Sequence, residues 1–140
     1  MLDVGTYIRQ GWYGALSNIL QCDIFDEFNV TTTPSNPYVV LSTQTEQQNE
    51  NDGPFLYNCT IMIKVVAFGS LVTGKKSAET VGNQILGLIT DARAQPFNMA
   101  APLTLIETKL VSTNTMPMDA KDKVYITKLY RFFQIVSQSN

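Results

Sequence analysis

The segment 124–136 constrains the fold more than any other part of this chain, because its pattern is that of a strand apolar on both faces. Successive side chains of a strand point to opposite sides. Tyr125, Leu129, Phe133 and Ile135 therefore share one side with Thr127 and Arg131, and Val124, Ile126, Tyr130, Phe132 and Val136 share the other with Lys128 and Gln134. A strand with one wet face alternates apolar and polar residues, whereas continuous apolar character marks a strand covered on both faces. Whatever surrounds this strand has to supply two covers.

The rest of the sequence offers two helices. Val4, Ile8, Trp12, Ala15, Leu16, Ile19 and Leu20 recur at steps of three and four behind Asp3 as N-cap, which predicts an amphipathic helix over residues 4–21. Gly5, Gly11 and Gly14 lower its intrinsic propensity by up to about 1 kcal/mol each, so docking must hold it, and small residues let it lie close against a sheet. A second helix is expected from Ser77 as cap through Ala78, Val81, Ile85, Leu88, Ile89 and Ala92, ending before Pro96.

Strands fill much of the remainder. Residues 23–28 suit a brief edge strand, 38–43 are β-branched and aromatic directly after Pro37, and 103–111 have the same character. In the segment 56–68, Ile61, Ile63, Val65 and Ala67 alternate with Thr60, Met62, Lys64, Val66 and Phe68. The segment 44–54 is almost entirely Gln, Asn, Glu, Asp and Thr and ends in Asp52-Gly53-Pro54, so a long polar loop is expected there. Residues 69–76 read as a second loop, and 113–122 as a polar connection.

The order is helix, short strand, hairpin, helix, hairpin, with the late strands joined too closely for a crossover helix. The expected architecture is α+β in one domain over residues 1–140: an antiparallel or mixed sheet of about four to five strands with both helices on one face. The other face then stays bare, and an apolar patch of several hundred Å² on a monomer marks an interaction site. A subunit interface is expected on the sheet at Tyr130, Phe132, Lys128, Val124 and Ile126, with partner contacts from loop residues Gln44, Glu46, Glu50, Asp52, Lys75 and Lys76. The alternative is that a β-bulge, or the segment 103–111 with its loops, hides the second face internally.

Chemistry finds little to work with. There is no histidine, which removes the commonest general base and most zinc sites. Asp23, Asp26 and Glu27 cluster, but charges flanking a short strand more simply discourage unwanted edge pairing. Cys22 and Cys59 lack metal-ligand neighbours and read as buried thiols. The stretch ending Gly74-Lys75-Lys76-Ser77 fails as a phosphate loop because lysine stands where glycine must precede the P-loop lysine. No metal, cofactor or catalytic residue is expected. Charged residues are only 16% of the chain, below the usual fraction of about 25%, which suits a surface partly hidden against partners. Ten basic against twelve acidic side chains, with no dense basic run, argue against dedicated nucleic-acid binding. No segment approaches the roughly 20 apolar residues of a membrane span, and the first nine residues lack signal-peptide order, so a cytosolic product is expected.

The order of pieces across nearly the whole chain resembles the tail-completion and tail-terminator proteins of tailed bacteriophages. It rests on the N-terminal helix running into Asp23-Ile24-Phe25-Asp26, the strand Pro37-Tyr38-Val39-Val40-Leu41, the alternating strand up to Phe68, the helix from Ser77, and a final strand carrying Tyr125 and Tyr130-Arg131-Phe132. The resemblance implies a virion protein, made in the host cytoplasm, whose copies form a ring, commonly a hexamer, at the head-proximal end of the tail. Such a ring stops tube growth and docks the neck, so its partners are its own copies, the tail tube protein, neck or portal-side connectors, and DNA that passes without sequence-specific binding. Two other readings stay open: a neck adaptor ring seated on the portal, and a small-molecule binding domain using a cavity between helices and sheet.

Overall fold

A computed structural model describes residues 3–26, 34–49, 55–69, 71–90, 95–120 and 123–139. Helix α1, Val4–Ile19, buries Val4, Ile8, Trp12 and Leu16, a stripe at intervals of four that turns one side of the helix inward. It stops where Leu20 turns extended, its N–H still donating to Leu16 O at 2.9 Å. The approach to neighbouring structure is close at Gly11, where a Cβ would lie 2.2 Å from the Phe97 ring.

Strand β1, Asp23–Asp26, runs parallel to β2, Tyr38–Asn49, with Phe25 opposite Val40. Reciprocal bonds fasten the start of β1: Asp23 N–H donates to Ser35 Oγ and Ser35 N–H to Asp23 Oδ2, both at 2.9 Å. β2 pairs antiparallel with β3, Phe55–Gly69, which pairs antiparallel with β5, Lys123–Gln138, from Phe55 opposite Gln138 to Gly69 opposite Val124. β4, Leu103–Ala120, closes the order β1-β2-β3-β5-β4 as an edge strand. The result is the expected α+β architecture, a mixed five-stranded sheet in which only the β1–β2 pair is parallel.

Helix α2, Leu71–Leu86, packs on β3 and β5, and α1 on β1 and β2. Between helices and sheet lie Cys59, Ile61, Ile63, Val65 and Ala67 of β3, and Ile126, Tyr130, Phe132 and Val136 of β5. Across the core runs one polar chain. Trp12 Nε1 donates to Gln134 Oε1 at 2.9 Å, and Gln134 Nε2 to Thr108 Oγ1 at 3.0 Å, with all three residues buried.

Several expected boundaries move, and the second helix, expected through Leu88 and Ile89, ends at Leu86. β2 continues through the segment read as a polar loop, with Asn49 opposite Leu56, because backbone pairing to β3 does not require buried side chains. β4 likewise continues through the expected connection to Ala120, opposite Lys123, so the turn between β4 and β5 is far shorter than expected. α2 begins at Leu71 and takes up much of the stretch read as a second loop.

Three residues expected at the subunit interface lie inside the protein. Tyr130 and Phe132 are 1% and 0% exposed, and Ile126 is equally enclosed, so these residues are core beneath the helices and cannot be an outer surface. Lys128 shares their side of β5 and is half-buried, its Nζ 5.8 Å from the Tyr130 ring centre. Val124 pairs through its backbone with Gly69 and Asp119.

Candidate assembly interface

Since both helices lie against the Phe132 side of β5, the residues on its other side face outward. Register places Leu129 of β5 opposite Lys64 of β3, Arg131 opposite Met62, and Tyr125 opposite Phe68, all on the side away from the helices. Phe133 and Ile135 continue that row toward the end of β5, and Val66, Tyr38 and Phe25 extend it across β3, β2 and β1. Each of these side chains is half-buried. Their cover comes from in-plane neighbours: Phe68 and Tyr125 rings are 5.8 Å apart, and Phe25 and Tyr38 meet edge to face at 6.0 Å. Among the described residues, no helix packs on this face.

The Tyr38 hydroxyl is held above its ordinary pKa by burial and, to a lesser degree, by nearby Tyr125. Cations stand within the face at Lys64 and Arg131, and Lys109 of β4 lies opposite Phe133 with its Nζ 2.8 Å from Glu107. Apolar side chains studded with a few cations make a surface suited to a protein partner.

The residues expected to make loop contacts fall on regular elements. Gln44 and Glu46 lie in β2 beside the start of α1, and Lys75 and Lys76 are exposed on α2. Glu50 and Asp52 lie outside the described residues. Among the described residues, the pair on β2 and the pair on α2 lie on different elements.

Arg9 was not singled out by sequence pattern and proves to be a joint. Its Nε meets Asp26 Oδ1 at 3.1 Å, Nη1 donates to Ser42 O at 2.8 Å and Gln44 Oε1 at 2.5 Å, and Nη2 donates to Leu41 O at 2.8 Å. These carbonyls sit at a register break of β2 between Leu41 and Gln44. Arg9 therefore ties α1 to both β1 and β2 where strand pairing lapses. Its signal in the sequence was isolation: it is the only Lys or Arg before Lys64.

Reactive chemistry is sparse. Burial, helped by the charge of Glu46, pushes the Cys59 thiol up to about 12, and burial also raises Cys22, so neither is a ready thiolate at neutral pH. Among the described residues, no group of three metal-ligating side chains forms. Every buried side-chain nitrogen or oxygen there has a hydrogen-bond partner, so none is left aimed at a missing ligand. No described helix is long and apolar enough to cross a membrane.

No protein-family model matches the chain, and no curated protein matches it in sequence. Solved structures do share the fold. A chain in the virion of a native gene transfer agent particle superposes with a TM-score of 0.65 at 14% identity, covering 96% of this chain and 98% of that one. A second solved chain superposes with a TM-score of 0.56 at 13% identity, covering 93% of this chain and 94% of the other.

Proposed function

We propose that this chain is a non-enzymatic structural protein of a phage-type virion. Its copies form a ring at the head-proximal end of a tail, where the ring ends tube growth and joins tail to neck around the DNA channel. The observation that carries this reading is end-to-end agreement in fold with a chain of a virion particle, with almost nothing left over in either partner. One further feature supports it: the outer sheet face offers apolar residues that assembly can cover. Partners in this reading are further copies of the chain, the tube protein and the neck connectors.

Immunogold labelling of particles should mark the junction of head and tail. Deleting the gene should leave filled heads unjoined and tubes of uncontrolled length. Tails of normal length without the protein would overturn the terminating role, and a ring that stays with the portal after tails detach would identify a neck adaptor instead.

A further inference from the structure

Two surfaces at opposite ends of the sheet carry the exposed apolar side chains, and they differ in charge. Among the described residues, the large hydrophobic side chains open to solvent are Tyr13 on α1 and Ile106, Leu110, Val111 and Met116 on β4. β4 is one sheet edge, while α1 lies over β2 and β1 at the other. Val111, 58% exposed, sits at a register break of β4 between Leu110 and Ser112 and is raised out of regular pairing. Tyr13, 53% exposed, stands at a groove of ≈ 580 Å³ lined also by Thr6, Arg9, Gln10, Gly14, Asp26 and Leu41.

Charge follows the same division. Asp3, Asp23, Asp26 and Glu46 lie on the α1–β1–β2 side, against Arg9, which is turned inward onto β2. On the far side, Lys109, Lys123, Lys128 and Arg131 of β4 and β5 outnumber Glu107 and Asp119, and α2 adds Lys75 and Lys76 against Glu79. One end of the sheet is acidic and the other basic.

We propose that copies of this chain join head to tail through these two surfaces. The β4 edge of one subunit seats Val111 and Leu110 in the next subunit's groove beside Tyr13, and its basic side faces the neighbour's acidic β1 side. This inference rests on the reading of the chain as a ring subunit and says which surfaces close the ring. A contact between two different patches generates a ring when its rotation closes, and patches at opposite ends of one sheet have the placement it needs. Opposite charge favours that orientation and penalises like against like. The contact also covers β4, whose free edge is otherwise an invitation to stray strand pairing. The outer sheet face then remains available to tube or connector.

The test damages one patch at a time with Val111→Glu and Tyr13→Glu, both at exposed positions, and reads assembly by native mass spectrometry and sedimentation. Circular dichroism checks folding, and Met116→Glu replaces Val111→Glu if that variant is disturbed. Each variant alone should associate at least about tenfold more weakly than wild type. Mixed in equal amounts they should give dimers and nothing larger, since the intact β4 edge of Tyr13→Glu still fits the intact groove of Val111→Glu. A chain carrying both substitutions should stay monomeric. Wild-type-sized oligomers in both variants, or full rings from the mixture, would overturn the head-to-tail contact while leaving the ring reading in place. A wild type that stays monomeric, alone and with tail tubes, would remove the ring reading and this contact together.

Discussion

At Gly82 the absence of a side chain decides how near α2 can come to the sheet. A Cβ there would lie 1.8 Å from the Tyr130 hydroxyl oxygen and 2.6 Å from the carbon that bears it. Tyr130 is 1% exposed and has little room to swing aside, so Gly82→Ala must displace the helix or the ring. Overpacking a core usually costs about 1–3 kcal/mol, and a clash this deep belongs at the upper end. In a Tyr130→Phe background the nearest atom is gone, and the same glycine substitution should cost at least about 1 kcal/mol less. Urea denaturation of the four chains of this cycle checks it; equal costs in both backgrounds would mean that the helix yields and the ring does not. At the same scale, the sequence shows Gln134 as a polar interruption of an apolar face and gives no hint of its partners. Trp12 and Thr108 are far away in the chain and meet it only through tertiary packing.

Among the elements, legibility follows burial. α1 is readable because its apolar stripe faces the core, and the alternation of β3 announces Ile61, Ile63, Val65 and Ala67 as its inner side. The far ends of β2 and β4 are not readable in the same way. Residues 109–117 of β4 are all exposed, so their composition resembles that of a loop while their backbones pair with β5. Arg9 belongs to this scale because it holds three elements. Its partly exposed ion pair with Asp26 contributes little, since exposed pairs are worth about 0–1 kcal/mol. The bonds to the Leu41 and Ser42 carbonyls matter more, and a bond involving a charged group contributes about 1.5–3 kcal/mol. We expect Arg9→Ala to lower stability by about 2–3 kcal/mol and to speed hydrogen exchange in β1 and the first half of β2 ahead of β3 and β5. Exchange that rises evenly over the whole sheet would show global destabilisation with no local release of that joint.

For the whole molecule, one bare sheet face could be counted from the sequence, but which face of β5 it would be could not. Over residues 124–136 the two sides of that strand carry similar numbers of apolar residues and one cation each. What separates them is register: Ile61 stands opposite Phe132 and Ile63 opposite Tyr130, so the inner row of β3 continues through the even-numbered residues of β5. A shift of one residue would exchange the faces. No turn fixes that register locally, because α2 and β4 lie between β3 and β5 in the chain. The consequence is a paired experiment on two large apolar positions of this strand with opposite orientation. Phe132→Asp buries an unpaired carboxylate in place of a fully enclosed ring and should leave little folded protein, since truncating a core Phe alone costs about 3–5 kcal/mol. Leu129→Asp, on the half-buried outer side, should cost no more than about 1–2 kcal/mol and keep the native circular dichroism. The same variant should lose binding to tail tubes or neck connectors, measured by co-sedimentation with particles that lack the wild-type protein. If Leu129→Asp still co-sediments like wild type, the bare face is not a docking surface, and the sheet edges alone would have to carry assembly.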